Sequence, residues 1–157
     1  MTKQRVLFLC TGNSARSQMA EAMLRKYAGD RFEVYSAGLE PKGLNPYMIK
    51  VMEEAGFDMS FYFSKSLSLF DDGKTTFDFL ITVCGRAEKK CPFFPRASTR
   101  FHWPIEDPAE FLGSPEEILQ KFREIRDQIE GRVQSWIRRG DKPNDKIRVL
   151  LSPISDC

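Results

Sequence analysis

Residues 10 to 17 read Cys-Thr-Gly-Asn-Ser-Ala-Arg-Ser, placing a thiol, an arginine and a hydroxyl at fixed spacing on one short loop. That composition suits a tetrahedral oxyanion. A bound dianion needs several backbone N–H groups aimed at one centre, and a tight loop entering a helix N-terminus supplies them. Gly12 and Asn13 are expected to take the left-handed conformations of such a turn, with Thr11, Ser14 and Ala15 completing the ring of amides. Arg16 offers a planar, permanently charged fork for two of the anion's oxygens. Cys10 would then lie in an electropositive place, where helix N-termini and cations bring a thiol from about 8.5 to between roughly 3.5 and 7.5. The expectation is a thiolate at neutral pH without a histidine base, hydrogen-bonded by Ser17. A lone cysteine closing a strand would read as inert; the company of Gly12, Arg16 and Ser17 makes Cys10 a nucleophile.

Three further residue groups bear on the steps after the attack. Asp107, fixed by Pro108 in an extended conformation, is the candidate donor of a proton to a leaving oxygen, although Asp-Pro on its own also reads as a turn. Cys84 and Cys91 separate two reaction classes. Hydrolysis of a phosphorylated cysteine needs water, Arg16 and Asp107 alone. A reduction needs electrons, which two more thiols supply by exchange: Cys84 attacks at Cys10, then Cys91 attacks the Cys10–Cys84 disulfide. Both also read as small core residues, Cys91 less readily because Pro92 and a polar stretch surround it. Glu21, four residues after Ser17, either orients the loop through Asn13 or Ser36 or is a solvated surface carboxylate.

These groups need elements to hold them. Val6–Leu9 is an apolar run fit for a buried parallel strand. Met19, Ala20, Met23, Leu24 and Tyr27 recur at helical spacing and predict a helix from Ser17 to about Gly29. Phe32–Ser36 predicts a second strand ending at Ala37–Gly38. Asn45-Pro46 predicts a helix start, with Ile49, Met52 and Ala55 inward and Gly56 as its stop. Phe77–Val83 and Thr99–Trp103 predict two more strands. Ser114-Pro115-Glu116-Glu117 opens a last helix with Ile118, Phe122, Ile125, Ile129, Val133 and Trp136 on its buried stripe. Strands alternating with helices imply a single three-layer α/β domain, a central four-stranded parallel sheet flanked by helices. The catalytic domain is expected over 1–140. Residues 141–157 form an extension of unknown role, in which Ile147–Leu151 reads as an edge strand or as a tail that orders against a partner; Cys157 has no assigned role.

The chain has 157 residues and a net charge of +2, too small to argue for nucleic acid or a membrane surface as partner. No stretch nears the roughly 18 apolar residues of a membrane span, and Met1–Arg5 leads straight into a strand. A cytoplasmic, monomeric protein is expected. Its four cysteines are then catalytic, redox-active or inert rather than structural disulfides. No metal is expected, since Cys84 and Cys91 are too widely spaced for a zinc pair.

Cys10-Thr-Gly-Asn-Ser-x-Arg-Ser-Gln-Met-Ala-Glu21, Tyr35-Ser-Ala-Gly38, Thr82-Val-Cys84 with Cys91-Pro92, His102-Trp103 and Asp107-Pro108 occur in that order. Over about residues 4–137 the chain thereby resembles the thioredoxin-coupled arsenate reductases, which share the low-molecular-weight protein tyrosine phosphatase fold. The resemblance implies that Cys10 attacks arsenate held by the loop amides and Arg16, and that Asp107 protonates the departing oxygen. It further implies that a Cys10–Cys84 and then a Cys84–Cys91 disulfide form, the last reduced by thioredoxin, with no cofactor bound. Some members bind potassium through residues matching Asn13, Glu21 and Ser36. The remaining acidic ligand falls here at Lys65, whose ammonium cannot ligate a cation. His102 and Trp103 read as structural. The alternatives are a phosphatase acting on phosphotyrosine or small phosphomonoesters, which the shared loop equally serves, and a non-enzymatic oxyanion or redox sensor.

Overall fold

The computed structural model describes residues 2–84 and 96–139. Cys91, Cys157, the boundary at Gly140 and the segment Ile147–Leu151 lie outside them. Four strands form one sheet: β1 (Gln4–Cys10), β2 (Phe32–Gly38), β3 (Thr76–Thr82) and β4 (Arg96–His102). Their order is β2-β1-β3-β4, and every pairing is parallel. Each predicted strand is present, starting up to three residues earlier at polar ends such as Gln4, Thr76 and Arg96, while β3 and β4 stop one residue before Val83 and Trp103.

Residues opposite one another in a parallel register share a face. Val6, Phe8, Phe79, Ile81 and Phe101 therefore point to one side, and there α1 (Arg16–Ala28) and α3 (Pro115–Arg139) pack. Trp136 of α3 is the hub, its ring 5.1 Å from Phe79, 5.2 Å from Phe32 and 6.1 Å from Phe101. Leu7, Leu9 and Leu80 on the opposite face are also fully buried, so the sheet is covered on both sides, as its near-continuous apolar strands require.

The helix starts follow their sequence signals. Asn45 caps α2 (Pro46–Glu54), its Oδ1 accepting from the Tyr47 and Met48 N–H groups. Ser114 and Glu117 close a reciprocal capping box at the start of α3, 2.9 and 3.2 Å. Three details of the buried stripes differ from expectation. On α2 the buried residues are Met48, Val51 and Met52, with Ile49 only half-buried and Ala55 exposed. On α3 Leu119 takes the place assigned to Ile118. Tyr27 is 38% exposed, because its hydroxyl reaches Glu130 of α3 at 2.5 Å. Partial burial and the carboxylate beside it push that phenol up to about 12. No described helix is long and apolar enough to cross a membrane.

Candidate active site

Cys10 ends β1 and Arg16 opens α1, so the loop between them sits at the carboxyl edge of the sheet. Its carbonyls are drawn away from the loop's centre. Cys10 O accepts from Leu39 N, Thr11 O from Glu40 N, Gly12 O from Lys42 N and Ser64 Oγ, and Ser14 O from Asn45 N, all within 2.8–3.2 Å. A carbonyl and the next N–H point in opposite directions across a planar peptide. The N–H groups of Thr11, Gly12, Asn13 and Ala15 are thereby turned inward. Asn13 N–H shows it directly, donating to Cys10 Sγ at 3.2 Å. Ala15 stands at the N-cap of α1 with no side-chain cap and no acidic residue in the first turn, which leaves that positive helix end for a ligand.

Asn13 holds the turn at φ 48°. Gly12, expected to share that conformation, is not left-handed. Its missing side chain makes room instead, since a Cβ there would stand 3.3 Å from Lys42 Cδ. Gly38 of β2 is the tighter requirement: a Cβ would meet Asn13 N and Thr11 O at 2.8 Å.

A polar chain runs from the helix to the sulfur. Ser36 Oγ donates to Glu21 Oε1, and Asn13 Nδ2 donates to both Ser36 Oγ at 2.9 Å and Ser17 Oγ at 2.8 Å. The Ser17 hydroxyl, accepting from Asn13 Nδ2, lies 2.8 Å from Cys10 Sγ, and towards a thiolate it can only donate. Glu21 is buried, which removes the surface reading of that residue, and Arg25 at 2.6 Å and Lys65 at 3.6 Å flank it. Gln18 completes the shell, its Nε2 donating to Asn13 O, Asn13 Oδ1 and Phe63 O at 2.9–3.2 Å. Sequence reasoning missed Gln18, whose only signal is its place directly after the loop, and Ser64, which lies far from the loop in sequence.

Burial dominates the ionisation of Cys10. The residue is 3% exposed, and desolvation pushes the thiol up from its ordinary value, against the downward pull of the Ser17 hydroxyl, Arg16 and the Asn13 N–H. The charge and hydrogen bonds expected to favour a thiolate are in place around Cys10, and burial of the sulfur opposes them. Cys84, just past β3, is a second buried free thiol. Its Sγ lies 3.3 Å from Thr11 Oγ1 of the loop, and its charge adds to the upward shift at Cys10. Arg16 is held across the loop's mouth by Ile105 O at 2.9 Å and by Asp107 Oδ2 at 3.5 Å. Asp107 caps the short turn Pro108–Glu110 through Ala109 N, so the turn reading and the acid candidate coexist in one residue. Thr82 Oγ1 and His102 Nδ1 pair at 2.9 Å, and Trp103 is buried against Phe8 of β1.

A thiol cradled by inward amides at a strand–helix junction, with an arginine and a carboxylate over it, defines a cysteine-dependent oxyanion enzyme. The chain belongs to the low molecular weight phosphotyrosine protein phosphatase family, which matches residues 5–146. Within that family it is similar to the arsenate reductase of Bacillus licheniformis, 44% identical over 142 residues that cover 90% of this chain and all of that one. A solved arsenate reductase in a phosphate-binding state superposes with a TM-score of 0.71 at 31% identity, covering 88% of this chain and 99% of the other. The thioredoxin-dependent arsenate reductase of Corynebacterium glutamicum gives 0.65 at 31% identity over 87% of this chain and 61% of that one.

Proposed function

We propose that the protein reduces arsenate to arsenite through a relay of Cys10, Cys84 and Cys91 that thioredoxin resets. Arsenate enters the ring of inward amides. The entering dianion accepts the Cys10 proton, so that a thiolate faces a monoanion at unchanged net charge. Cys10 Sγ attacks arsenic while Asp107 gives a proton to the departing oxygen, which leaves as water. Cys84 then attacks Cys10 Sγ. The S–As bond breaks with its electron pair on arsenic, taking As(V) to As(III), and arsenite leaves. Cys91 attacks the Cys10–Cys84 disulfide, freeing Cys10, and a dithiol of thioredoxin reduces the resulting Cys84–Cys91 bond.

The observation that carries this reading is the second buried cysteine sulfur at the loop, Cys84 Sγ beside Thr11 Oγ1 at 3.3 Å. Hydrolysis has no use for it. The relatives named arsenate reductase support the same choice. The loop, Arg16 and Asp107 suffice for cleaving an aryl phosphate, so weak phosphatase activity accompanies the main reaction. No cation need be bound beside the loop: Lys65 Nζ already faces the Glu21 carboxylate that a potassium ion would use.

Changing Cys91→Ser tests the relay. With thioredoxin, its reductase and NADPH, the variant should complete one turnover per chain and stop, while cleaving p-nitrophenyl phosphate as before. Sustained arsenate-dependent NADPH consumption by that variant would overturn the relay.

A further inference from the structure

We infer that Lys42 captures the oxyanion at the mouth of the Cys10–Ser17 loop, acting as a substrate-binding cation in addition to Arg16; the inference rests on the oxyanion reading above. The main chain of Lys42 is locked to the loop, its N–H donating to Gly12 O at 3.0 Å. Its stem lies across Gly12. A Cβ built on that glycine would stand 3.3 Å from Lys42 Cδ and 3.5 Å from Cγ. With Gly12 outside the left-handed region, the space for this stem is what a glycine at position 12 secures.

Among the described residues, the other cations beside the loop are already matched to carboxylates: Arg16 with Asp107, and both Arg25 and Lys65 with Glu21. Lys42 is exposed and has no carboxylate partner among the described residues. Arg16 therefore divides its charge between an incoming anion and Asp107, whereas no carboxylate among the described residues is ion-paired with Lys42. A hydrated ammonium on a flexible stem draws anions in through solvent and raises their local concentration. Two unit charges about 4 Å apart in water attract by an amount equal to roughly five-fold in affinity, and a dianion doubles the charge.

The test uses the full chain with Lys42→Gln and Lys42→Arg. Inorganic phosphate or arsenate is titrated for its ability to shield Cys10 from iodoacetamide, at low and at high ionic strength. Lys42→Gln should weaken shielding about 5–10-fold at low salt, with the gap closing towards 1 M, where the screening length falls to about 3 Å. Lys42→Arg should restore it, and in arsenate turnover the loss should fall on KM rather than kcat. Equal shielding by wild type and Lys42→Gln at low salt would overturn the inference, as would a loss that salt leaves unchanged. Shielding by phosphate requires no electron transfer. A wild-type protein that fails to turn over arsenate would therefore sink the reductase reading, while Lys42 is still decided by the shielding data.

Discussion

Replacing Ser17 by alanine removes the hydroxyl that lies 2.8 Å from Cys10 Sγ and can donate to its thiolate. A hydrogen bond to a charged group contributes about 1.5–3 kcal/mol, and one pKa unit corresponds to about 1.36 kcal/mol. The hydroxyl favours the thiolate over the thiol, so it holds the Cys10 value down against burial. Losing it should raise that value by about one to two units. At any pH below the midpoint the thiolate fraction then falls about 10–100-fold. The assay is the rate of Cys10 carbamidomethylation by iodoacetamide against pH, with the labelled peptide quantified by mass spectrometry. A background of Cys84→Ser, Cys91→Ser and Cys157→Ser keeps the other thiols silent. Asn13 Nδ2 retains Ser36 as an acceptor, so the loop should keep its shape, which phosphate shielding of Cys10 checks. A midpoint that stays in place, or moves to lower pH, would show that Ser17 gives its proton elsewhere and that the chain from Glu21 to the sulfur is misread.

Asp107→Asn should slow arsenate-dependent turnover by about 10²–10⁴-fold while phosphate still shields Cys10; an unchanged rate leaves Asp107 as the cap of its turn and nothing more. Gly38→Ala should abolish shielding and lower the melting temperature together, since the added carbon would stand 2.8 Å from backbone atoms of Thr11 and Asn13; intact shielding would mean that β2 yields. Ser114→Ala removes one half of the capping box on α3 and should cost about 1 kcal/mol, or roughly 2–4 °C in Tm for a chain of this size, with activity at 25 °C unaffected. Replacing potassium by sodium in the assay should leave the rate unaltered, because Lys65 already lies beside Glu21; a potassium-dependent rate would contradict that placement.

Strands were legible because buried parallel strands are short, continuous and apolar, as in Val6–Leu9 and Phe77–Val83, and helix starts because Asn45-Pro46 and Ser114-Pro115 carry capping chemistry. The faces of α1 were harder. Ser17, Gln18, Glu21 and Ala22 are buried along with Met19 and Met23, so the helix is enclosed on nearly every side of its first turns and a hydrophobic stripe says little about it. The nucleophile loop could be read from contiguous residues. Its supports could not: Lys42, Ser64 and the Phe63 carbonyl come from segments distant in sequence, and only folding brings their hydrogen bonds to Gly12 and Gln18. The burial of Cys10 was hidden for the same reason, since spacing reveals nearby charge but not the depth at which the sulfur lies.

The strand order has a consequence for the timing of the two exchanges. β1 and β3 are neighbours, with Leu9 opposite Thr82, so Cys10 and Cys84 lie one residue out of step at the ends of adjacent strands. In that register Cys10 is level with Val83, which shares its face, and Cys84 follows one residue later, past the end of β3, with its Sγ against Thr11 Oγ1 at 3.3 Å. The sheet thus brings the two thiols to neighbouring strand ends but one step apart in the alternation of faces, so the first exchange asks for movement of the segment after β3 as well as side-chain rotation.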